Sequence, residues 1–158
     1  MADEKNLAQA KATFQALCDA MDAMDWKYTK TDSYGIKTGA RGEDLPIDMN
    51  VLLNEKLSLI KLISPLPFTV PEDKRIDMAL AVTAANYGMV HGCFDYNIQD
   101  DTLYFRMATS YEDMKLDTEV FRYLLYCAAQ TIDNYNDKFL MLSKGLLTLE
   151  DFLKSENN

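Results

Sequence analysis

The sequence is poor in the residues that most often carry chemistry. It has one histidine, His91, so a histidine-rich metal site is excluded and any Ser-His-Asp arrangement must use that residue. Its three cysteines, Cys18, Cys93 and Cys127, are odd in number and far apart, and offer no close-spaced pair for zinc or redox work. Nowhere do about 18 apolar residues run together, the length a membrane span needs. The opening Met1-Ala-Asp-Glu-Lys-Asn lacks the basic region and apolar stretch of a secretory signal. Cations are scarce as well, with 16 Lys and Arg against 25 Asp and Glu and a formal charge of -9. The basic residues are scattered singly from Lys5 to Lys154, so no clustered patch for nucleic acid is visible, and an anionic membrane surface would repel the chain. The expectations that follow are a reducing cytoplasm, no cofactor, no metal, no nucleic acid and no membrane.

What is present fits one packed domain spanning residues 1–158. A chain of 158 residues buries roughly two-thirds of the surface its unfolded form exposes. Its 48% hydrophobic and 26% charged composition is that of an ordinary globular protein. No repeat, linker or low-complexity segment divides it.

Periodicity predicts an α+β order of elements. Leu7, Ala10, Phe14, Leu17, Met21 and Met24 recur every three or four residues, one face of a helix from Ala2 to about Asp25. Trp26 to Thr31 and Tyr34 to Thr38 form a hairpin around Asp32 and Ser33, and Gly39, Gly42, Glu43 and Asp44 open a loop. From Pro46, Ile47, Met49, Val51 and Leu53 alternate with Asp48 and Asn50. A loop at Asn54 to Lys56 would set Leu53 against Leu57 and Val51 against Leu59. Three prolines between Ser64 and Pro71 predict a connector. A middle helix follows to Tyr87, with Gly88 as its cap.

Placing Asp100 and Asp101 in the next turn pairs Ile98 with Leu103, Tyr96 with Phe105 and Phe94 with Met107. The same register sets Asp95 against Arg106, an ion pair worth about 0.2–1 kcal/mol. A helix from about Asp117 to Tyr135 comes next, with Asp117 or Thr118 as N-cap and Phe121, Leu124, Leu125, Ala128 and Ile132 inward. After Asn134-Tyr-Asn the pattern predicts a short helix ending at Gly145 and one further turn through Leu149, Phe152 and Leu153.

Catalytic candidates are few. His91 lies between Gly88 and Gly92 at a helix-to-strand junction, with no nucleophile in a recognisable setting nearby. Asp95, Asn97, Gln99 and Asp101 alternate like a calcium loop, but the sixth position is Asp100 where Gly is required and the twelfth is Arg106 where a bidentate Glu is required. Glu43 with Asp44, Glu72 with Asp73 and Asp100 with Asp101 fall in loops, turns or a first helical turn, where acids are common anyway. Gly39-Ala-Arg-Gly lacks the Lys-Ser/Thr ending of a phosphate loop.

What remains is apolar surface. Nine methionines, nine tyrosines, seven phenylalanines and one tryptophan exceed what the inferred core faces obviously consume. Core packing and an adaptable binding surface are both open uses for them. On the middle helix, Ile76, Ala79, Leu80, Thr83, Ala84 and Tyr87 are the candidate dimer or partner surface, where small residues allow close approach.

A family resemblance adds to this. The helix ending in Asn86-Tyr-Gly-Met, the hairpin Gly92-Cys-Phe-Asp-Tyr-Asn with Asp101-Thr-Leu-Tyr-Phe-Arg106, and the long helix introduced by Leu116-Asp-Thr-Glu resemble the YbjN-like bacterial domains. So do Asp133, Tyr135 and the stretch from Lys144 to Asp151. These domains share their fold with class I type III secretion chaperones. The resemblance covers most of the chain and consists of packing residues. It implies a twisted antiparallel sheet of five to six strands with an N-terminal helix, a middle helix and C-terminal helices packed on it. It also implies homodimers, and either holding of extended partner segments in apolar grooves or a sensory and regulatory role. The expected function is therefore non-enzymatic binding of a partner protein or peptide. The alternative is a small enzyme using a carboxylate pair or His91 in a cleft.

Overall fold

The computed structural model describes residues 4–31 and 34–157. Asp32 and Ser33, the expected turn of the first hairpin, lie outside the described residues. Four helices lie on one face of a six-stranded sheet. They are α1 (Glu4–Ala23), α2 (Arg75–Tyr87), α3 (Thr118–Ser143) and α4 (Leu149–Glu156). The strands are β1 (Tyr28–Lys30), β2 (Gly35–Arg41), β3 (Pro46–Asn54), β4 (Leu59–Thr69), β5 (Cys93–Asn97) and β6 (Thr102–Ser110), ordered β1-β2-β3-β4-β6-β5 and antiparallel at every pairing. The expected α+β architecture is present.

The period-two pattern decides which face is covered. Ile47, Met49, Val51 and Leu53 of β3, Ile60, Leu62 and Leu66 of β4, and Leu103, Phe105 and Met107 of β6 are all buried beneath the helices. From α1 come Ala10, Leu17, Ala20 and Met21, and from α3 Phe121, Leu125, Ala128, Ile132 and Phe139. Phe139 sits 5.0 Å from Phe94 and 5.4 Å from Phe152, so an aromatic cluster joins the edge strand β5 to α3 and α4.

Several local expectations are corrected. Gly39 does not open a loop: β2 continues to Arg41, and the Trp26 indole N–H donates to the Gly39 carbonyl at 3.2 Å. The β3–β4 register differs by three, with Leu53 opposite Ile60 and Val51 opposite Leu62. The turn occupies Glu55 to Ser58, because the Asn54 side-chain oxygen accepts from the N–H groups of Lys56 and Leu57, each at 3.0 Å. Tyr111, distant in sequence and fully buried, locks that turn. Its N–H donates to the Ser58 carbonyl at 2.9 Å and its hydroxyl to the Asn54 carbonyl at 3.1 Å. Leu57 is left at the surface.

The proline-rich stretch is strand, not connector. Pro65 and Pro67 lie within β4, beyond its last pairing with β3 (Ile63 with Asn50) and at the irregularity between Pro65 and Thr69 in the β6 ladder. Few ladder bonds are asked of them there, and the Ser64 hydroxyl replaces one by donating to the Asp48 carbonyl at 2.6 Å.

In the β5–β6 hairpin the register differs by two. Phe94 faces Phe105, Tyr96 faces Leu103, and Ile98 joins a four-residue turn with Gln99, Asp100 and Asp101. A two-residue shift keeps the side chains that remain in the strands on their expected faces, and only Ile98 leaves the apolar face for the exposed turn, so alternation alone could not detect the shift. Asp95 lies opposite Tyr104, and its ion pair with Arg106 is diagonal, at 2.6 Å.

Helix α3 is one helix, not two. Asn134 accepts from the Gln130 amide at 3.1 Å, and burial of Ile132 and Phe139 on either side outweighs the weak helix preference of Asn. Asn136 is buried with neither its amide nor its carbonyl partnered, a loss of about 1–3 kcal/mol for such a group. The expected N-cap is Asp117, which accepts from the Val120 N–H at 3.1 Å. The helix ends at Gly145 as expected, with φ at 69°. Leu146 N–H bonds to the Met141 carbonyl at 2.8 Å and Gly145 N–H to the Leu142 carbonyl at 3.1 Å. By contrast, Gly88 ends α2 at φ -87°, without the left-handed cap expected there.

Candidate functional site

Helix α2 is fixed to the sheet edge at both of its ends. At its start, Arg75 donates twice to the Asp101 carboxylate, at 2.8 and 2.6 Å, and the Tyr96 hydroxyl donates to the same group at 2.9 Å. Near its end, the Asn86 carboxamide donates to the Phe94 carbonyl and accepts from the Phe94 N–H, both at 2.8 Å. That pair occupies the outer edge of β5 at Phe94, which removes a template for stray strand addition. Met78, Ala81, Val82 and Ala85 are thereby pressed into the core.

The rotation so imposed turns the sequence-predicted surface outward. Ile76 is 77% exposed, Leu80 50% and Tyr87 95%, with Ala79 and Thr83 also exposed and Ala84 half-buried between them. Leu80, Thr83, Ala84 and Tyr87 line a cleft of about 390 Å³ whose other wall is Leu153 and Glu156 of α4. All six candidate residues therefore lie on one side of one helix. Exposed apolar side chains gathered in this way mark an interaction site more often than chance scatter does.

The arginine beside Asp101 holds its carboxyl below the usual range, because its charged form accepts those donors. A depressed carboxylate stabilises the fold above its unfolded value near ~3.9 and loses that contribution as pH falls through the folded value. Asp101→Asn is expected to lower Tm at neutral pH and to flatten the decline of Tm below about pH 4. Thermal melts across that range measure both. An unchanged acid limb would show that the Arg75 clamp does not couple to folding.

The catalytic candidates are dispersed. His91 is exposed, its ring edge-on to Tyr123 at 5.4 Å. Glu43, Asp44, Glu72, Asp73 and Asp100 are all at the surface, and Asp101 is engaged by Arg75. Cys93 lies beside Asp95 and Arg106 with its thiol pushed up chiefly by burial, while Cys18 is buried within the α1 packing. Among the described residues no three His, Cys, Asp or Glu side chains gather as a metal site would require.

The folded sheet also reveals a feature that reading the cations one by one had missed. Lys37, Arg41, Lys61 and Arg106 all project from the face that carries no helix. The strand alternation that marked Asp48 and Asn50 as outward could have indicated them, once extended to β2, β4 and β6.

A family model described as "Putative bacterial sensory transduction regulator", YbjN, matches residues 13–141. The chain belongs to the YbjN family. Among solved structures, this YbjN-family chain is similar to the E. coli protein described as "YbjN, a putative transcription regulator". The TM-score is 0.60 with 14% identity, covering 77% of this chain and 86% of that one. It is similar also to a chain of the HopA1-SchA chaperone-effector complex, with a TM-score of 0.60 and 12% identity over 87% of this chain and 99% of that one. At these identities the likeness establishes the fold alone, shared with a chain of that chaperone-effector complex. No curated protein matches the chain in sequence. Among the described residues no helix is long and apolar enough to cross a membrane.

Proposed function

We propose that this YbjN-family chain is a non-enzymatic protein-binding domain, chaperone-like or regulatory, that pairs with a second copy of itself through the outward face of α2. The observation that carries this is the row Ile76, Leu80 and Tyr87, exposed at 77%, 50% and 95% on a helix whose opposite side is fully packed. Ala79, Thr83 and Ala84 between them are small enough for a helix of the partner copy to approach closely, and the cleft beside α4 offers room for its larger side chains. A regulator or chaperone built this way needs no reacting group. Its action is to hold another polypeptide, and pairing doubles the surface available.

Light scattering at micromolar concentration is expected to give about twice the 18.0 kDa chain mass. Ala84→Glu should return it to the monomer mass, since an unpaired charge buried in the interface costs roughly 3–5 kcal/mol. Circular dichroism should be unchanged, because Ala84 does not belong to the buried side of α2. A monomer mass for the unaltered chain, or a dimer that survives Ala84→Glu and Leu80→Glu, would refute pairing through α2.

A further inference from the structure

We propose that the uncovered face of the sheet is a docking surface for an extended, acidic segment of a partner polypeptide, with apolar side chains between its carboxylates. This rests on the protein-binding role above but not on the α2 interface. All four helices lie on the opposite face, so β3, β4 and β6 present their second set of side chains to solvent. At the centre, Leu52, Ile63, Pro65 and Tyr104 surround a shallow depression of about 390 Å³. Leu52 is 39% exposed in the middle of a sheet, where nothing in its own chain covers it.

The charge around that depression names the occupant. The chain as a whole carries -9. On this face, however, the strands bear Lys37, Arg41, Lys61 and Arg106 against Asp48 and Asp95. Asp95 is committed to Arg106, whose guanidinium holds it at 2.6 Å. Lys37, Arg41 and Lys61 make no ion pair among the described residues. Lys61 stands directly opposite Leu52 and Ala108, while Lys37 stands opposite Asn50 on the other flank of β3. Lys37 and Lys61 thus lie one strand to either side of β3 and two residues apart along it, roughly 12 Å apart at normal strand geometry. An extended segment over β3 would place apolar side chains on Leu52 and Ile63. Its carboxylates, about 7 Å apart along one side, would lie within reach of the flexible lysine stems. A positive patch on a negative protein attracts acidic chains.

The test is fluorescence anisotropy of the full chain with a fluorescein-labelled peptide repeating Glu-Leu-Asp-Thr. A peptide repeating Lys-Leu-Lys-Thr and a labelled oligothymidylate are the competing arms. The acidic peptide is expected to bind at least about tenfold tighter than the basic one, and more weakly as salt rises. Lys37→Glu/Lys61→Glu should weaken it by about tenfold, since two attractions become repulsions, while Ala84→Glu on α2 should leave it unchanged. Lys37→Gln/Lys61→Gln should lose less, and serves if the double reversal disturbs folding. Equal or absent binding of the two peptides, or indifference to both double variants, would overturn the proposal. Tighter binding of oligothymidylate would reassign the face to nucleic acid. Binding lost in Ala84→Glu but kept in Lys37→Glu/Lys61→Glu would move the site to α2, and the sheet face would then carry no such role.

Discussion

Phe139→Ala is expected to cost about 3–5 kcal/mol of stability, a large part of the roughly 5–15 kcal/mol a domain of this kind possesses. Phe139 is fully buried, its ring 5.0 Å from Phe94, 5.8 Å from Tyr135 and 5.4 Å from Phe152. Removing it takes away transfer free energy and leaves a cavity that three separate elements would have to close. β5 is pinned by β6 and Asn86, and α4 is held by hydrogen bonding of Tyr135 to Glu156 and by the ion pair of Lys138 with Glu156 at 3.4 Å, so collapse is limited. Urea unfolding followed by circular dichroism should show a lower midpoint at an unchanged slope. A shift under about 1 kcal/mol would mean that the site relaxes around the void and that the cluster does not tie β5, α3 and α4 together.

Gly92→Ala is expected to destabilise by about 2–5 kcal/mol, through two separate effects. Gly92 has φ at +76°, a region that costs an L side chain roughly 1–2 kcal/mol. A Cβ there would stand 2.4 Å from Phe105 Cζ and 2.7 Å from Met107 Cγ, forcing repacking worth about 1–3 kcal/mol more. Gly88→Ala, four residues earlier, is the control. Gly88 has φ at -87° and open space where a Cβ would go, so that change should be neutral or stabilising by up to about 1 kcal/mol. Equal midpoints for the two variants would contradict the close approach of the Gly92 backbone to the Phe105 ring.

The two positions also show where sequence and structure part. Gly88 carries the local signal of a helix cap, and the sequence places it as such, yet its backbone is not left-handed. Gly92 carries no signal beyond its composition, and its need for glycine comes from two side chains on the neighbouring strand. In the same way the Asn134-Tyr-Asn stretch looks like a break because Asn is a weak helix former. Burial of Ile132 and Phe139 in the core carries α3 straight through it.

The outward face of α2 was legible as a set, since a three-to-four spacing selects residues on one side of a helix. The contacts that turn it outward, Arg75 with Asp101 and Asn86 with Phe94, were not, because they lie outside the period of the helix itself. The cation face was hidden for a different reason: Lys37, Arg41, Lys61 and Arg106 are far apart in sequence and share a surface only through the β2-β3-β4-β6 order.

By itself, the sequence determined the class of fold, the element order, the buried phase of β3, the buried side of α3 and the absence of a recognisable catalytic motif. The structural features follow from periods of two or near 3.6 that act over a few residues, and the missing motif follows from residue identity and spacing. Tertiary structure alone decided the two hairpin registers, the continuation of β4 through its prolines, the continuity of α3 and the gathering of charges on the open sheet. Those depend on partners such as Tyr111, Arg75 and β6, which local pattern cannot see. A β5–β6 ladder shifted by two residues satisfies the same alternation, whereas the three-residue shift of β3–β4 follows the turn that Asn54 and Tyr111 fix.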